Sequence, residues 1–222
     1  TLNPVVSLAH WRLMNSRDPE LIRLWLNALA VDVAVIPEKS SREQYHEVAY
    51  PEVYRALPLL HDDGEGIRFY GVPRGVDGIV RIVDRARVAA VAPIPADREI
   101  ETLRAYVAAI STGSRAPDRV ERADPDSLRI AASLRAGEAI LVQESFDSGW
   151  QASPPAVIAK DAAGFMLIHP PPGAGEVRLD YHKPLDQRLG RWVSLAASLV
   201  SLALCARPKN TASDRTARDA AR

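Results

Sequence analysis

The stretch from Ala139 to Tyr181 constrains the fold most, because short apolar runs alternate in it with clusters of turn-forming residues. The apolar runs are Ile140 to Val142, Val157 to Ile158, Phe165 to Ile168 and Val177 to Leu179. Runs of this length, bounded by Asp, Gly, Ser and Pro, are typical of the strands of a β-meander. Such short strands are stable only when one face of their sheet is buried, so we expect an antiparallel β-sandwich whose outer faces contact water.

Residues 18–73 are predicted to form a small α/β unit. The sequence Asp18-Pro19-Glu20 favours a helix start, because Asp caps free amides and Pro fits the first helical position. The apolar run Val31 to Ile36 then predicts a buried strand. Two apolar arms, Leu57 to Leu60 and Ile67 to Val72, flank an Asp- and Gly-rich turn and predict a hairpin. The unit is therefore expected to contain a three-stranded sheet.

Pro73-Arg74-Gly75 marks the boundary between this unit, residues 1–74, and the sandwich, residues 75–185. Before the boundary, Pro51-Glu52 predicts a second helix start. After it, strands are predicted at Ile79 to Val83, Arg87 to Val91, Arg119 to Arg122 and Ser127 to Leu134. Apolar residues at helical spacing also predict a helix near residues 97–112, inserted in the sandwich. The fold class expected from these elements is α+β.

The run from Trp192 to Ala206 carries no charged residue, and arginines flank it on both sides. A membrane-spanning helix needs about 20 apolar residues, with about 17 as the lower limit. A buried amphipathic helix is the alternative, but apolar residues lie all round this one. We therefore expect a C-terminal apolar, transmembrane helix within residues 186–206. Residues 207–222 have the composition of a disordered tail, and their arginines favour the cytoplasmic side.

Composition excludes some classes of function. The 28 basic and 28 acidic residues cancel, so no global field attracts nucleic acid. The single cysteine, Cys205, excludes an internal disulfide framework and a cysteine-based metal cluster. The sequence does not begin with Met, and we expect it to be a fragment of a longer protein.

Several short motifs resemble functional sites, but local structure explains each of them. The cluster His61 to Glu65 lacks the ligand spacing of a calcium loop and has the composition of a hairpin turn. Asp124-Pro125-Asp126 has the outline of a metal-binding DxD motif, yet the same residues favour a tight turn. Ser145 lacks a Gly-x-Ser-x-Gly elbow, and the five histidines show no metal-binding spacing. We therefore predict no catalytic, cofactor-binding or metal-binding residue.

Two aromatic residues, Trp150 and Tyr181, are the candidate glycan contacts. Exposed aromatic rings can form a platform for sugars, whereas a Trp among short strands commonly lies in the core. An exposed Trp150 would favour sugar binding, and a buried one would favour a role as scaffold.

The arrangement of turns and strands is similar to the C-terminal region of bacterial YfhO-like membrane proteins. The Gly149-Trp150 turn, the Pro172-Gly173 turn and the strand Glu176 to Tyr181, followed by an apolar helix, carry this resemblance. Upstream, Leu57 to Gly64 and Phe69 to Pro73 look like the hairpin of the same family. The family's Asp-Gly-Lys-like turn after the Trp is replaced here by a shorter, Ser- and Pro-containing loop.

The resemblance spans about residues 20–205 and implies a polytopic glycosyltransferase-like enzyme of the GT-C kind, which moves sugars from polyprenyl-phosphate carriers. The catalytic carboxylates of such enzymes belong to N-terminal loops that this chain does not contain, so none is carried over. The resemblance thus implies an extracytoplasmic accessory domain in a bacterial cell membrane. Its partners would be the bilayer, the rest of the polytopic chain, and a glycan or polyprenyl-linked sugar. The alternative is a non-catalytic carbohydrate-binding or protein-interaction β-sandwich.

Overall fold

The computed structural model describes residues 3–44, 46–95, 99–182 and 193–202. Thr1–His182 form one compact unit, and Lys183–Arg222 belong to a second. Helices and three antiparallel sheets make up the first unit, which confirms the α+β class. The boundary predicted at residue 74 stays a prediction.

Apart from the first helix, which was not predicted, the N-terminal elements follow the predicted order. They are helices α1 (Pro4–Asn15) and α2 (Pro19–Ala28), strand β1 (Val33–Pro37), a 3-10 helix (Pro51–Ala56), and strands β2 (Leu59–Asp62) and β3 (Ile67–Gly71). Asp18 caps α2 as predicted, because its side chain accepts hydrogen bonds from the amides of Glu20 and Leu21. The three strands form the expected small sheet in the order β1-β3-β2, with β2 and β3 as the hairpin.

The remaining strands form two four-stranded sheets. Their elements are β4 (Val80–Asp84), α3 (Arg85–Ala89), α4 (Glu99–Ser111), β5 (Arg119–Asp124), β6 (Ser127–Ala131), β7 (Glu138–Ser145), β8 (Trp150–Ser153), β9 (Val157–Lys160), β10 (Phe165–His169) and β11 (Glu176–Tyr181). We call the sheet β4-β7-β10-β9 the central sheet and the sheet β5-β6-β11-β8 the outer sheet. The two pack as a sandwich, which is the predicted architecture.

The central sheet is buried on both faces. Ile140 and Val142 of β7 point into the core shared with the outer sheet. Their neighbours Ala139 and Leu141 point the other way, into a core formed with α1, α2 and α4. The prediction that the outer face of each sheet contacts water is therefore wrong for the central sheet, because helices cover it.

Two further predictions need correction. The stretch from Ala139 to Tyr181 is not a meander within one sheet, since β7, β9 and β10 belong to the central sheet and β8 and β11 to the outer one. The strand predicted from Arg87 to Val91 is wrong as well, because α3 occupies most of it. Asp84 starts this helix by accepting a hydrogen bond from the amide of Arg87 at 3.0 Å, a capping signal that the sequence contains.

In the second unit, residues 193–202 are helical and every side chain is exposed. Trp192, residues 203–206 with Cys205, and the tail 207–222 lie outside the described residues. No helix within the described part of the chain is long and apolar enough to cross a membrane. The spanning helix therefore stays a prediction.

Candidate functional site

Trp150 and Tyr181 lie next to each other. They are paired residues of β8 and β11, and their ring centroids are 5.4 Å apart in an edge-on arrangement. Trp150 is only 9% exposed and belongs to the core of the sandwich. Gly149 permits this packing, because a Cβ there would come within 2.6 Å of the carbonyl oxygen of His182. The sequence named both residues, and the register of the outer sheet brings them together.

A groove with a volume of about 430 Å³ opens beside Trp150. Phe146, Pro155 and Ile158 contribute apolar side chains to its lining, and Asp147 contributes a carboxylate. The Asp147 carboxylate accepts a hydrogen bond from the amide of Gly149 at 2.8 Å, which holds the turn before the Trp. Because Trp150 is only 9% exposed, little of its ring is available to a ligand in this groove.

The two aspartates of the predicted hairpin turn, Asp62 and Asp63, are engaged in local contacts. Asp63 accepts hydrogen bonds from the amides of Glu65 and Ile67, both at 2.8 Å, and the Ile67 bond is the main cause that lowers the pKa of Asp63. Asp62 pairs with Arg68 at 2.8 Å, which lowers the pKa of Asp62. These contacts agree with the interpretation of the segment as a turn.

The DxD-like motif is also a turn. Asp124 accepts a hydrogen bond from the amide of Asp126 at 2.8 Å, between strands β5 and β6. Within the described ranges, no group of three or more His, Cys, Asp or Glu side chains could hold a metal ion. Ser145 contacts the side-chain amide of Asn3 at 3.5 Å.

Buried polar groups that the sequence interpretation missed lie between the central sheet and the helices. Glu99, 5% exposed at the start of α4, accepts hydrogen bonds from Trp25 Nε1 at 2.6 Å and Arg12 Nε at 2.7 Å. It therefore joins α1, α2 and α4. Gln143 of β7 donates to the carbonyl of Ala28 at 2.7 Å, at the end of α2.

A second buried pair links α4 to the β9-β10 turn. The Tyr106 hydroxyl donates to Asp161 Oδ2 at 2.6 Å, while Asp161 Oδ1 accepts from the amides of Ala163 and Phe165. Burial raises the pKa of Asp161, although the hydrogen bonds to its carboxylate oppose this change. Burial also raises the pKa of Tyr106 well above its ordinary value, so it remains a neutral donor.

Two arginines, Arg74 and Arg81, are buried near the end of α4. The Arg74 side chain is 1% exposed, and Arg81 is 2% exposed in the middle of β4. Burial lowers the pKa of both, that of Arg81 to about 10. One signal for Arg81 existed in the sequence, since it is the single charge within the apolar run Ile79 to Val83. The sequence analysis predicted only a strand there and no role for Arg81, whose guanidinium group is buried beside the carbonyl of Ile110 at the end of α4.

Comparison with models of known protein families gives no match, and searches of curated proteins and of solved structures give none either.

Proposed function

We propose that this chain is an extracytoplasmic domain attached to a membrane by its C-terminal apolar helix, and that it is an accessory part of a polytopic, YfhO-like membrane protein. The observation that carries the proposal is the helix at residues 193–202. Its exposed apolar side chains are Val193 (67%), Leu195 (51%), Leu199 (59%), Val200 (59%) and Leu202 (67%). A helix that is apolar all round needs lipid or protein around it.

The serines of this helix are compatible with a lipid environment. Ser198 Oγ donates to the carbonyl of Ser194, and Ser201 Oγ donates to that of Ala197, both at 2.9 Å. The hydroxyls of Ser198 and Ser201 thus each have a partner one turn earlier in the same helix. A polar group without a partner would cost several kcal/mol in hydrocarbon, and these bonds avoid much of that cost.

The burial of Trp150 supports a packing role for the domain. With 9% exposure the ring stabilises the sandwich, as a scaffold requires, and leaves little surface for a sugar. In this proposal the domain packs on the membrane-embedded remainder of its own protein, which is glycosyltransferase-like. Any catalytic groups would belong to that remainder.

The second candidate is a non-catalytic carbohydrate-binding or protein-interaction sandwich. The groove of about 430 Å³ beside Trp150 favours it, because a lining of apolar side chains with a few polar groups suits a small ligand. In that case Trp150 and Tyr181 would remain the glycan contacts, and the terminal helix would have a different role.

Flotation with phospholipid vesicles tests the membrane attachment. We expect the full chain to float with the vesicles and a version that ends at Gly190 to remain soluble. Leu199→Arg should weaken flotation, because a charge within an apolar helix opposes insertion. Val157→Arg is the matched control, since Val157 is 65% exposed on a strand and should float like the wild type. If the full chain and the shortened version are equally soluble, the membrane proposal fails and the second candidate takes its place.

A further inference from the structure

A groove of about 640 Å³ lies between α2, α4 and the segment Pro73 to Gly75. Its charged lining consists of Arg23, Arg74, Arg104 and one acidic residue, Glu20. Arg23 is exposed, and Arg104 is 51% exposed while it pairs with Glu20 at 2.6 Å. The groove therefore has more positive than negative charge, in a protein whose overall charge is zero.

Arg74 is held rigidly beneath the surface of this groove. Its Nη2 donates to the carbonyls of Val76 at 2.9 Å and Gly78 at 2.5 Å. Its Nη1 lies 2.8 Å from Asp32 Oδ1, a carboxylate that is half exposed. Neither Nε nor Nη1 makes a well-directed hydrogen bond to any of the described residues, although both are buried.

Arg81 lies next to Arg74 and adds a second buried positive charge. Its nearest acceptors are the carbonyls of Ile110 at 3.4 Å and Val76 at 3.5 Å, which are long hydrogen bonds, and its Nε has no partner among the described residues. Both guanidinium groups thus share the carbonyl of Val76. The charge of Arg74 also contributes to the lowered pKa of Arg81, which shows that the two cations repel each other.

The burial of these two guanidinium groups is energetically unfavourable unless an anion neutralises their charge. Buried charges are normally paired, and guanidinium groups remain protonated in proteins. The two acidic groups that act on Arg74 are Asp32 and Asp77, and both are substantially exposed to water. A cleft that has low-dielectric walls and charges of one sign concentrates the field at its mouth.

We propose that the groove between α2 and α4 binds a phosphate group. The exposed guanidinium groups of Arg23 and Arg104 contact its oxygens, and Arg74 and Arg81 contribute their charge from below. Guanidinium groups match the geometry of phosphate oxygens and form strong, charge-assisted hydrogen bonds with them. The phosphate is either a free anion or the headgroup of a lipid, since both present the same oxygens.

Calorimetric titration of the full chain at constant ionic strength tests this site, with inorganic phosphate as one probe. We expect saturable binding that weakens about tenfold in Arg23→Gln and in Arg104→Gln, because each loses a charge-assisted hydrogen bond. Glu20→Gln should strengthen binding, since it removes the one carboxylate among the described lining residues and releases Arg104. Arg119→Gln is the matched control, because Arg119 is exposed on β5 of the outer sheet, and should leave the affinity unchanged.

A second probe separates the two sources of the phosphate. Dihexanoyl phosphatidylglycerol, used below its micelle concentration, should bind more tightly than inorganic phosphate if the natural ligand is a lipid headgroup, and no more tightly if it is a free anion. The absence of saturable binding for both probes would overturn the proposal. Equal affinities of the wild type, Arg23→Gln and Arg104→Gln would overturn it too. None of these outcomes depends on the terminal helix, so this site and the membrane attachment fail or stand separately.

Discussion

The two faces of the central sheet differ in what they bury, although the same strands provide both. Towards the outer sheet, the strands present Ile82, Ile140, Val142 and Ile168, and the core there is apolar. Towards the helices, the same strands present Arg81 and Gln143 beside their apolar residues. The buried polar residues of the described chain are Asn27, Glu38, Arg81, Glu99 and Gln143, and all except Glu38 lie on the helix side.

This difference indicates a division of roles. We call the side of the central sheet that packs on the outer sheet the sandwich face, and the side that packs on the helices the helix face. Apolar residues on the sandwich face contribute to stability through burial alone. On the helix face, each polar group must find a partner, and several of the bonds described above connect helices that are distant in sequence. The proposed phosphate groove lies on this second face. We therefore expect substitutions on the sandwich face to change stability alone, whereas some on the helix face should also change binding.

The largest effect is expected on the sandwich face. Ile140→Ala removes a side chain that is 1% exposed in the centre of β7 and should lower the free energy of unfolding by about 3 kcal/mol. Urea denaturation followed by circular dichroism measures this change. Ile158→Ala on the edge strand β9 is the control, since that side chain is half-buried and should cost clearly less. Equal losses for both variants would contradict the described packing.

Glu99→Gln should have the next largest effect. The variant keeps the size of the side chain but removes the charge that Arg12 contacts, and should lower the free energy of unfolding by about 2 kcal/mol. The control is Glu101→Gln, because Glu101 is exposed on the same helix and its substitution should change stability little. A Glu99→Gln variant as stable as this control would show that the three helices do not depend on the carboxylate.

Tyr106→Phe should cost about 1 kcal/mol, because Asp161 loses a hydrogen bond. It should also raise the pKa of Asp161 further, since that bond opposes the effect of burial. A folded-state pKa above the unfolded value means that stability falls as the pH rises through the folded-state pKa and is regained on acidification. NMR titration of the Asp161 carboxyl carbon measures the shift, and an unchanged pKa in Tyr106→Phe would contradict the contact.

The smallest effect is expected for Glu20→Gln. Glu20 pairs with Arg104, as Glu99 does with Arg12, but both partners of this pair are exposed. Exposed ion pairs contribute little, so the free energy of unfolding should hardly change. Thermal and urea unfolding check this expectation. A loss as large as that of Glu99→Gln would show that burial does not distinguish the two pairs.

Local signals in the sequence predicted much of the fold. The Asp18 cap, the Asp- and Gly-rich hairpin turn, and the apolar runs of β7, β10 and β11 each act within a few residues, and each was confirmed. Which sheet a strand joins depends instead on contacts between distant segments. For this reason the division of β7 to β11 between two sheets was not predicted.

The candidate sites, too, depend on contacts between distant segments that local sequence signals do not predict. Trp150 and Tyr181 could be named because exposed aromatic rings can form a platform for sugars, yet the burial of Trp150 depends on the packing of two sheets. The phosphate groove combines Arg23 of α2, Arg74 of a loop and Arg104 of α4. Only the tertiary structure brings these three residues together. The burial of Arg81 likewise depends on how α4 packs over β4, which the pattern of a single strand does not contain.

Arg81→Met tests the division between the two faces most directly. Because Arg81 has a lowered pKa and only long hydrogen bonds, an apolar residue of similar length should leave the protein as stable as the wild type or more so. The same variant should bind phosphate more weakly, since it removes a positive charge behind the groove. Urea denaturation and phosphate titration of one sample measure both quantities. A loss of stability of more than about 2 kcal/mol with unchanged phosphate affinity would contradict the account, because Arg81 would then be a structural residue.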